Sequence, residues 1–290
     1  MNSVATPLLK WAGGKRRYMK EIVPVIEEHL AGRYFEPFLG GGALALHFGL
    51  DGMVVNDAIA EAVIMYRAVR DNPGQVAFEL SGIACAGVDA ENFYRWRDVD
   101  PATLTSTMVA ARMIFLNKLG FNGVYRVNHK GKFNVPYAKA PFRPSIVGRS
   151  SRDAITSLFP NKEKFHDVAR ALRTAHIYHG DFEPIIDLAG LGDVVYCDPP
   201  YDDMFNGYTP GWDDVRDQPR LALAIWRACL RGATVAVSNS GTDRVRDLYA
   251  WADIRETRET RTINSDTNKR GVKASCFLIV CRPEHAAARR

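Results

Sequence analysis

Long apolar runs are missing from this chain. No stretch approaches the roughly 20 residues that a helix needs to cross a bilayer, and the start lacks a charged segment followed by a signal-like apolar run. Cysteine is sparse. The five present, Cys85, Cys197, Cys229, Cys276 and Cys281, show neither C-x-x-C spacing nor a nearby histidine pair, so reduced structural thiols are expected and no metal site. Repeats and low-complexity tracts are also absent. Neither sign of charge dominates, and the net +5 permits a polyanionic partner without requiring one. These absences describe a soluble, intracellular protein with no membrane attachment.

What is present is ample for a core. Apolar residues make up 47% of 290, ordinary for a globular chain and too rich for disorder. Strands are expected at Tyr34 to Phe38, Met53 to Val55, Ala175 to His179, Val194 to Cys197, Ala233 to Ser238, Ile254 to Thr257 and Ser275 to Cys281, with helices between several of them. From Ala58 to Arg173 helical spacing dominates, notably Ile59 to Arg70 and Thr103 to Leu119. Within that region, residues 121–136 alternate apolar and polar around His129-Lys130-Gly131 and read as a β-hairpin. The simplest architecture is an α/β sheet domain, residues 1–57 and 174–290, interrupted by a mostly helical insertion, residues 58–173.

Three features carry chemistry. Asp198-Pro199-Pro200-Tyr201 follows a buried-looking strand, at the carboxyl edge where open α/β sheets hold ligands. A carboxylate and a proline carbonyl there can both accept from an amine, and the tyrosine face can stack on a flat ring. Asp-Pro-Pro also makes ordinary turns. Cys197 beside Asp198 could be a nucleophile, but a cysteine on such a strand reads as core. The second feature is Gly40-Gly41-Gly42 between a strand and a helix, where glycines let a ligand approach the backbone. Asp57 ends the next strand, the position that usually holds ribose hydroxyls. The third is the hairpin, whose Arg126, Lys130 and Lys132, taken alone, read as a solvated face sooner than as a nucleic-acid contact.

Taken together, Lys10-Trp11-Ala12-Gly13-Gly14-Lys15, Glu36 to Leu44, Asn56-Asp57, the Asn122 to Pro136 segment and Asp198 to Tyr201 occur in the order of, and resemble, the D12 class of DNA adenine-N6 methyltransferases, the Dam family. The resemblance spans roughly residues 8 to 281. It implies a Rossmann-like, S-adenosylmethionine-dependent methyltransferase sheet with an inserted, mostly helical target-recognition domain, acting on double-stranded DNA. By the same resemblance Trp11 and Lys15 help bind S-adenosylmethionine, Phe38, Gly40 and Gly42 line its methionine end, Asp57 takes its ribose, and Asp181 and Phe182 contact its adenine. Asp198, Pro199 and Tyr201 are the implied catalytic group, with Asp198 also against the cofactor. Lys10, Asn122, Val124, Arg126, Asn134, Pro136 and Lys139 are the implied DNA contacts. Val124 and Lys139 stand where GATC-acting members carry leucine and arginine, which leaves the target sequence open.

The implied reaction is direct methyl transfer to the N6 amine of a flipped adenine, without a covalent enzyme intermediate. Residues 202–212 would form a loop over the flipped base or a plain surface loop. Enzymes acting on cytosine N4 or a protein amide, and a DNA-binding module without activity, are the rivals. No dimer is required, because the two adenines of a palindrome can be modified in separate events.

Overall fold

The computed structural model describes residues 5–11, 15, 18–128, 131–138, 158–202, 211–260 and 273–288. Its framework is a seven-stranded sheet of order β3-β2-β1-β4-β5-β7-β6, built from β1 Tyr34–Glu36, β2 Val54–Asp57, β3 His176–His179, β4 Val194–Cys197, β5 Thr234–Ser240, β6 Asp253–Thr260 and β7 Lys273–Cys281. The first five strands of that order run parallel. β7 is antiparallel to both of its neighbours. This is the doubly wound, Rossmann-like sheet that the sequence leads one to expect, with its direction of winding reversing between β1 and β4.

The reason these segments become central strands is their two-sided burial. β1, β2, β4 and β5 are buried at every position, as parallel strands covered on both faces must be. Val195, Cys197, Val235 and Val237 point into a core shared with Ile185 and Ile186, with Leu221, Ile225 and Cys229 of helix Asp214–Leu230, and with Phe277 and Ile279 of β7. Alternation sends Tyr196 and Ala236 to the opposite face. Helix Met19–His29 packs on β4 and β5, burying Ile22, Val25 and Ile26.

The chain divides into two compact units, one comprising Met1–Gly14, Gly40–Asp51 and Ile59–Thr174, the other Lys15–Leu39, Gly52–Ala58 and Ala175–Arg290. The second unit holds the sheet. In the first, helix Ser106–Leu119 is buried nearly all round, against helices Ala60–Asp71, Pro73–Cys85 and Ala90–Asp98. That helix begins later than its apolar spacing predicts. Pro101–Thr103 forms a separate 3₁₀ turn, and the Thr105 hydroxyl then caps the helix by accepting from the Met108 amide at 3.2 Å.

Arg112 lies in this helix with 1% of its surface exposed. Its guanidinium pairs with Glu61 at 2.8 Å and donates to the carbonyls of Trp96 and Arg97 at 2.8 and 3.0 Å. A buried cation is tolerable only when its donors are used this fully.

The hairpin expected at residues 121–136 is narrow. Val127 bridges Phe133, Asn134 N–H donates to Arg126 O at 3.0 Å and Asn128 N–H to Lys132 O at 2.8 Å. His129 and Lys130 at its tip lie outside the described residues. No helix among the described residues is long and apolar enough to cross a membrane.

We predict that Arg112→Leu lowers stability by about 3–5 kcal/mol, the cost of leaving a buried charge without its partner. Equilibrium urea unfolding measures it, and a loss under about 1 kcal/mol, the scale of an exposed pair, would remove this pair as an anchor of the helical unit.

Candidate active site and nucleic-acid interface

The carboxyl ends of β1, β2, β3 and β4 gather the expected groups of the sheet unit. Asp198 follows β4, and its carboxylate meets the Lys15 ammonium at 3.0 Å. Lys15 is 3% exposed. The same ammonium lies 4.6 Å from the centre of the Tyr201 ring, close enough for a cation–π attraction. A cation is therefore already held between a carboxylate and an aromatic face at the edge where the sheet reverses its winding. Ala12 to Gly14 of the same motif lie outside the described residues.

Around this centre the ionisable neighbours are set by burial. Cys197 is fully buried, and burial, followed by the charge of Asp198, pushes its thiol well above the usual range. It packs rather than reacts. Burial, then the Asp198 charge, likewise raises the Tyr196 hydroxyl, which shares a 2.9 Å hydrogen bond with Ser238. Tyr34 donates to buried Glu36 at 3.0 Å, its hydroxyl held well above normal by burial and then by Glu36.

Asp57 ends β2 and is 7% exposed, and its carbonyl accepts from the Gly180 amide at 3.1 Å. Beside it, the Asn56 side-chain amide donates to Pro37 O and Gly180 O, each at 3.0 Å. Phe38 stacks on Phe182, centres 5.2 Å apart, and meets Trp212 edge-on at 5.9 Å. Trp212 carried no motif and was expected only as the end of a loop, of which residues 203–210 lie outside the described set. Asp181 accepts from the Glu183 amide at 2.9 Å and pairs with Arg220 at 2.8 Å. Arg220 also covers the Phe182 ring, 4.9 Å from its centre.

The helical unit carries the remaining expected residues. Gly40 has φ +48°, and a Cβ there would fall 2.7 Å from the Trp11 indole nitrogen. Only glycine admits that approach. The Tyr66 hydroxyl donates to Gly40 O at 3.0 Å, and Gly42 starts helix Ala43–Phe48. Trp11 stacks on Tyr125, centres 6.3 Å apart, and the Tyr125 hydroxyl donates to Glu61 at 3.1 Å. Glycine turn, Trp11, Tyr125, Glu61 and Arg112 thus form one continuous chain of contacts.

The 121–136 segment is organised by a residue that no motif flagged. Asn117 is 3% exposed. It accepts from Lys10 N–H at 2.7 Å and donates to Lys10 O at 2.7 Å and Gly123 O at 2.8 Å. Its only sequence signal is an amide in a helix where apolar residues predominate. This clamp presses Lys10 onto Gly123, where a Cβ would sit 2.4 Å from the Lys10 Cβ. Asn122 alongside is exposed, in the left-handed region at φ 54°, next to Phe121, which is 45% exposed.

Arg126 is held from the returning arm, its Nε donating to Asn134 Oδ1 at 2.8 Å. Pro136 is exposed and accepts from the Phe121 amide at 3.0 Å. Val124 is instead 6% exposed, turned into the unit. Lys139 lies outside the described residues. Burial, then repulsion from Lys164 and Lys10, brings the Lys118 ammonium down to about 8. Among the described residues no cluster of His, Cys, Asp and Glu is placed to hold a metal ion.

Comparison with known proteins fits this geometry. The family described as D12 class N6 adenine-specific DNA methyltransferase matches residues 11–263. The chain is similar to a type II methyltransferase, M1.LlaDCHI, of Lactococcus lactis subsp. cremoris, 32% identical over 275 residues, covering 91% of this chain and 92% of that one. It is similar to the type II methyltransferase M.MjaIII of Methanocaldococcus jannaschii, 30% identical over 287 residues, with 91% and 94% covered. The DNA adenine methylase of Escherichia coli K12 is 28% identical over 289 residues, with 95% of each chain covered. A family match from Trp11 through most of the chain, with relatives of this identity aligned nearly end to end, makes the protein an enzyme of the D12 class of N6 adenine-specific DNA methyltransferases.

Proposed function

We propose that the enzyme transfers a methyl group from S-adenosylmethionine to the N6 amine of an adenine flipped out of duplex DNA, at GATC or a related short site. One observation carries this reading: the cation held beside Asp198 over the Tyr201 ring. The Lys15 ammonium fixes the carboxylate and the ring beside one another, giving a hydrogen-bond acceptor and a stacking face at the edge where a flat ring bearing an amine would sit. When bound, the cofactor supplies an electrophilic methyl group. Trp11, Lys15, Phe38, Gly40, Gly42, Asp57, Asp181 and Phe182 are the proposed holding residues.

The rest is done by the protein's own groups. The adenine N6 lone pair is delocalised into the ring, which makes the amine a poor nucleophile. The Asp198 carboxylate and Pro199 carbonyl accept its two N–H bonds, turning the lone pair toward the incoming methyl group. Positioning and electrostatic stabilisation of the charge developing on nitrogen supply the catalysis. Tyr201 stacks on the extruded base, about 1–3 kcal/mol, against an unstacking cost of a few kcal/mol. Backbone contacts from the helical unit make up the difference.

In that unit, which we propose as the target-recognition domain, Arg126 reads a guanine edge with its fork of donors. Lys10, Asn122, Asn134, Pro136 and Lys139 complete the contact. Buried Val124 supports the segment from within. The protein works as a monomer, methylating the two strands in separate events.

We predict that Asp198→Ala cuts turnover by at least about 100-fold, the scale of losing one preorganised electrostatic partner, while duplex binding persists. Tritium transfer from labelled cofactor, set beside a gel-shift titration, measures both, and wild-type turnover in the variant would overturn the assignment. For Arg126→Ala we expect discrimination at one base position to fall by about 1–3 kcal/mol. Sequencing the methylated sites of a genomic library reads this directly, and an unchanged site pattern would exclude Arg126 from base reading.

A further inference from the structure

Gln218 and Asn239 belong to no motif, yet both have 0% of their surface exposed. Gln218 lies in helix Asp214–Leu230 and Asn239 in β5. Asn239 Nδ2 donates to Gln218 Oε1 at 2.9 Å. The remaining ends of the pair reach backbone. Gln218 Nε2 donates to Pro200 O at 2.9 Å, and Asn239 Oδ1 accepts from Asp202 N–H at 3.1 Å and Ser240 N–H at 2.8 Å.

Pro200 O and Asp202 N–H belong to the two peptide units on either side of Tyr201. Fixing both fixes the backbone of Tyr201, and Pro199 and Pro200 have φ locked by their rings. The Asp202 carboxylate accepts from the Thr242 hydroxyl at 2.7 Å and pairs with Arg244 at 3.3 Å, anchoring the far end. Two buried primary amides cost free energy unless their hydrogen bonds are made. Here those bonds run from β5 and a helix to the one loop that carries Asp198 and Tyr201.

We propose that Gln218 and Asn239 are positioning residues for methyl transfer. Their joined amides hold the Tyr201 ring and the acceptors Asp198 and Pro199 in the geometry that receives the flipped base. The inference rests on the proposed transfer to a flipped adenine. It places their effect on the chemical step and on the seating of the base more than on the affinity for the cofactor.

The test compares wild type with Gln218→Met, which keeps length and removes the donor to Pro200 O. The full-length enzyme is assayed for kcat, for KM of each substrate, and for the emission of 2-aminopurine placed at the target adenine. The expected result is a fall in kcat of about tenfold or more, the scale that loss of one buried hydrogen bond sets. The KM for S-adenosylmethionine changes by less than kcat, and the 2-aminopurine signal drops at saturating enzyme.

Gln218→Glu gives a second readout that does not depend on the first variant folding. Protonated, its carboxyl donates to Pro200 O as the amide does; ionised, it has only acceptors facing that carbonyl. Its kcat relative to wild type must therefore fall as pH rises through that ionisation. A wild-type kcat in either variant, per folded molecule and at every pH, overturns the positioning role and leaves the methyl-transfer reading standing. Failure of the wild type itself to methylate adenine overturns both.

Discussion

One primary amide ties three neighbouring strand ends together. Asn56 Nδ2 donates both of its protons, one to Pro37 O beyond β1 and one to Gly180 O beyond β3, while the backbone carbonyl of the same residue accepts from the Leu39 amide at 2.8 Å. Parallel strands carry no hairpin to hold their ends in register. Here a side chain does so, at the edge where Phe38, Asp57 and Asp181 leave the sheet. The strands below need only be apolar; the edge needs each polar backbone group directed to a partner. An edge fixed in this way is the base for everything built on it.

Much of the fold could be read in the sequence because the central strands are buried on both faces. Val194 to Cys197 has no competing helical interpretation at its length, and its burial in β4 is complete. The helix starting at Ser106 was harder to delimit. Its apolar spacing runs back into Pro101–Thr103, and only the cap at Thr105 stops it. Spacing reports which face is buried, whereas ends are decided by individual hydrogen bonds. The unit boundaries belong to the second kind: the glycine turn and its helix, Gly40–Asp51, group with the helical unit, through contacts such as Trp11 on Gly40 that join residues far apart in the chain.

The site divides in the same way. Groups whose chemistry is local, Asp198, Tyr201 and Asp57, were legible from type and place. Groups that act by holding others were not. Asn117, Gln218 and Asn239 look like ordinary polar positions, and nothing local says which backbone atoms they serve. Trp212 joins Phe38 and Phe182 across more than 170 residues of chain. Val124 reads as a contact residue by its neighbours, yet its side chain is buried.

The stack of Trp11 on Tyr125 couples two distant parts of the helical unit. Tyr125 sits between Val124 and Arg126, and its hydroxyl is tied to Glu61, while Trp11 closes over the glycine turn. A substitution that removes the Tyr125 ring therefore takes away the face against which the indole rests, and with it a support of the backbone at Gly40.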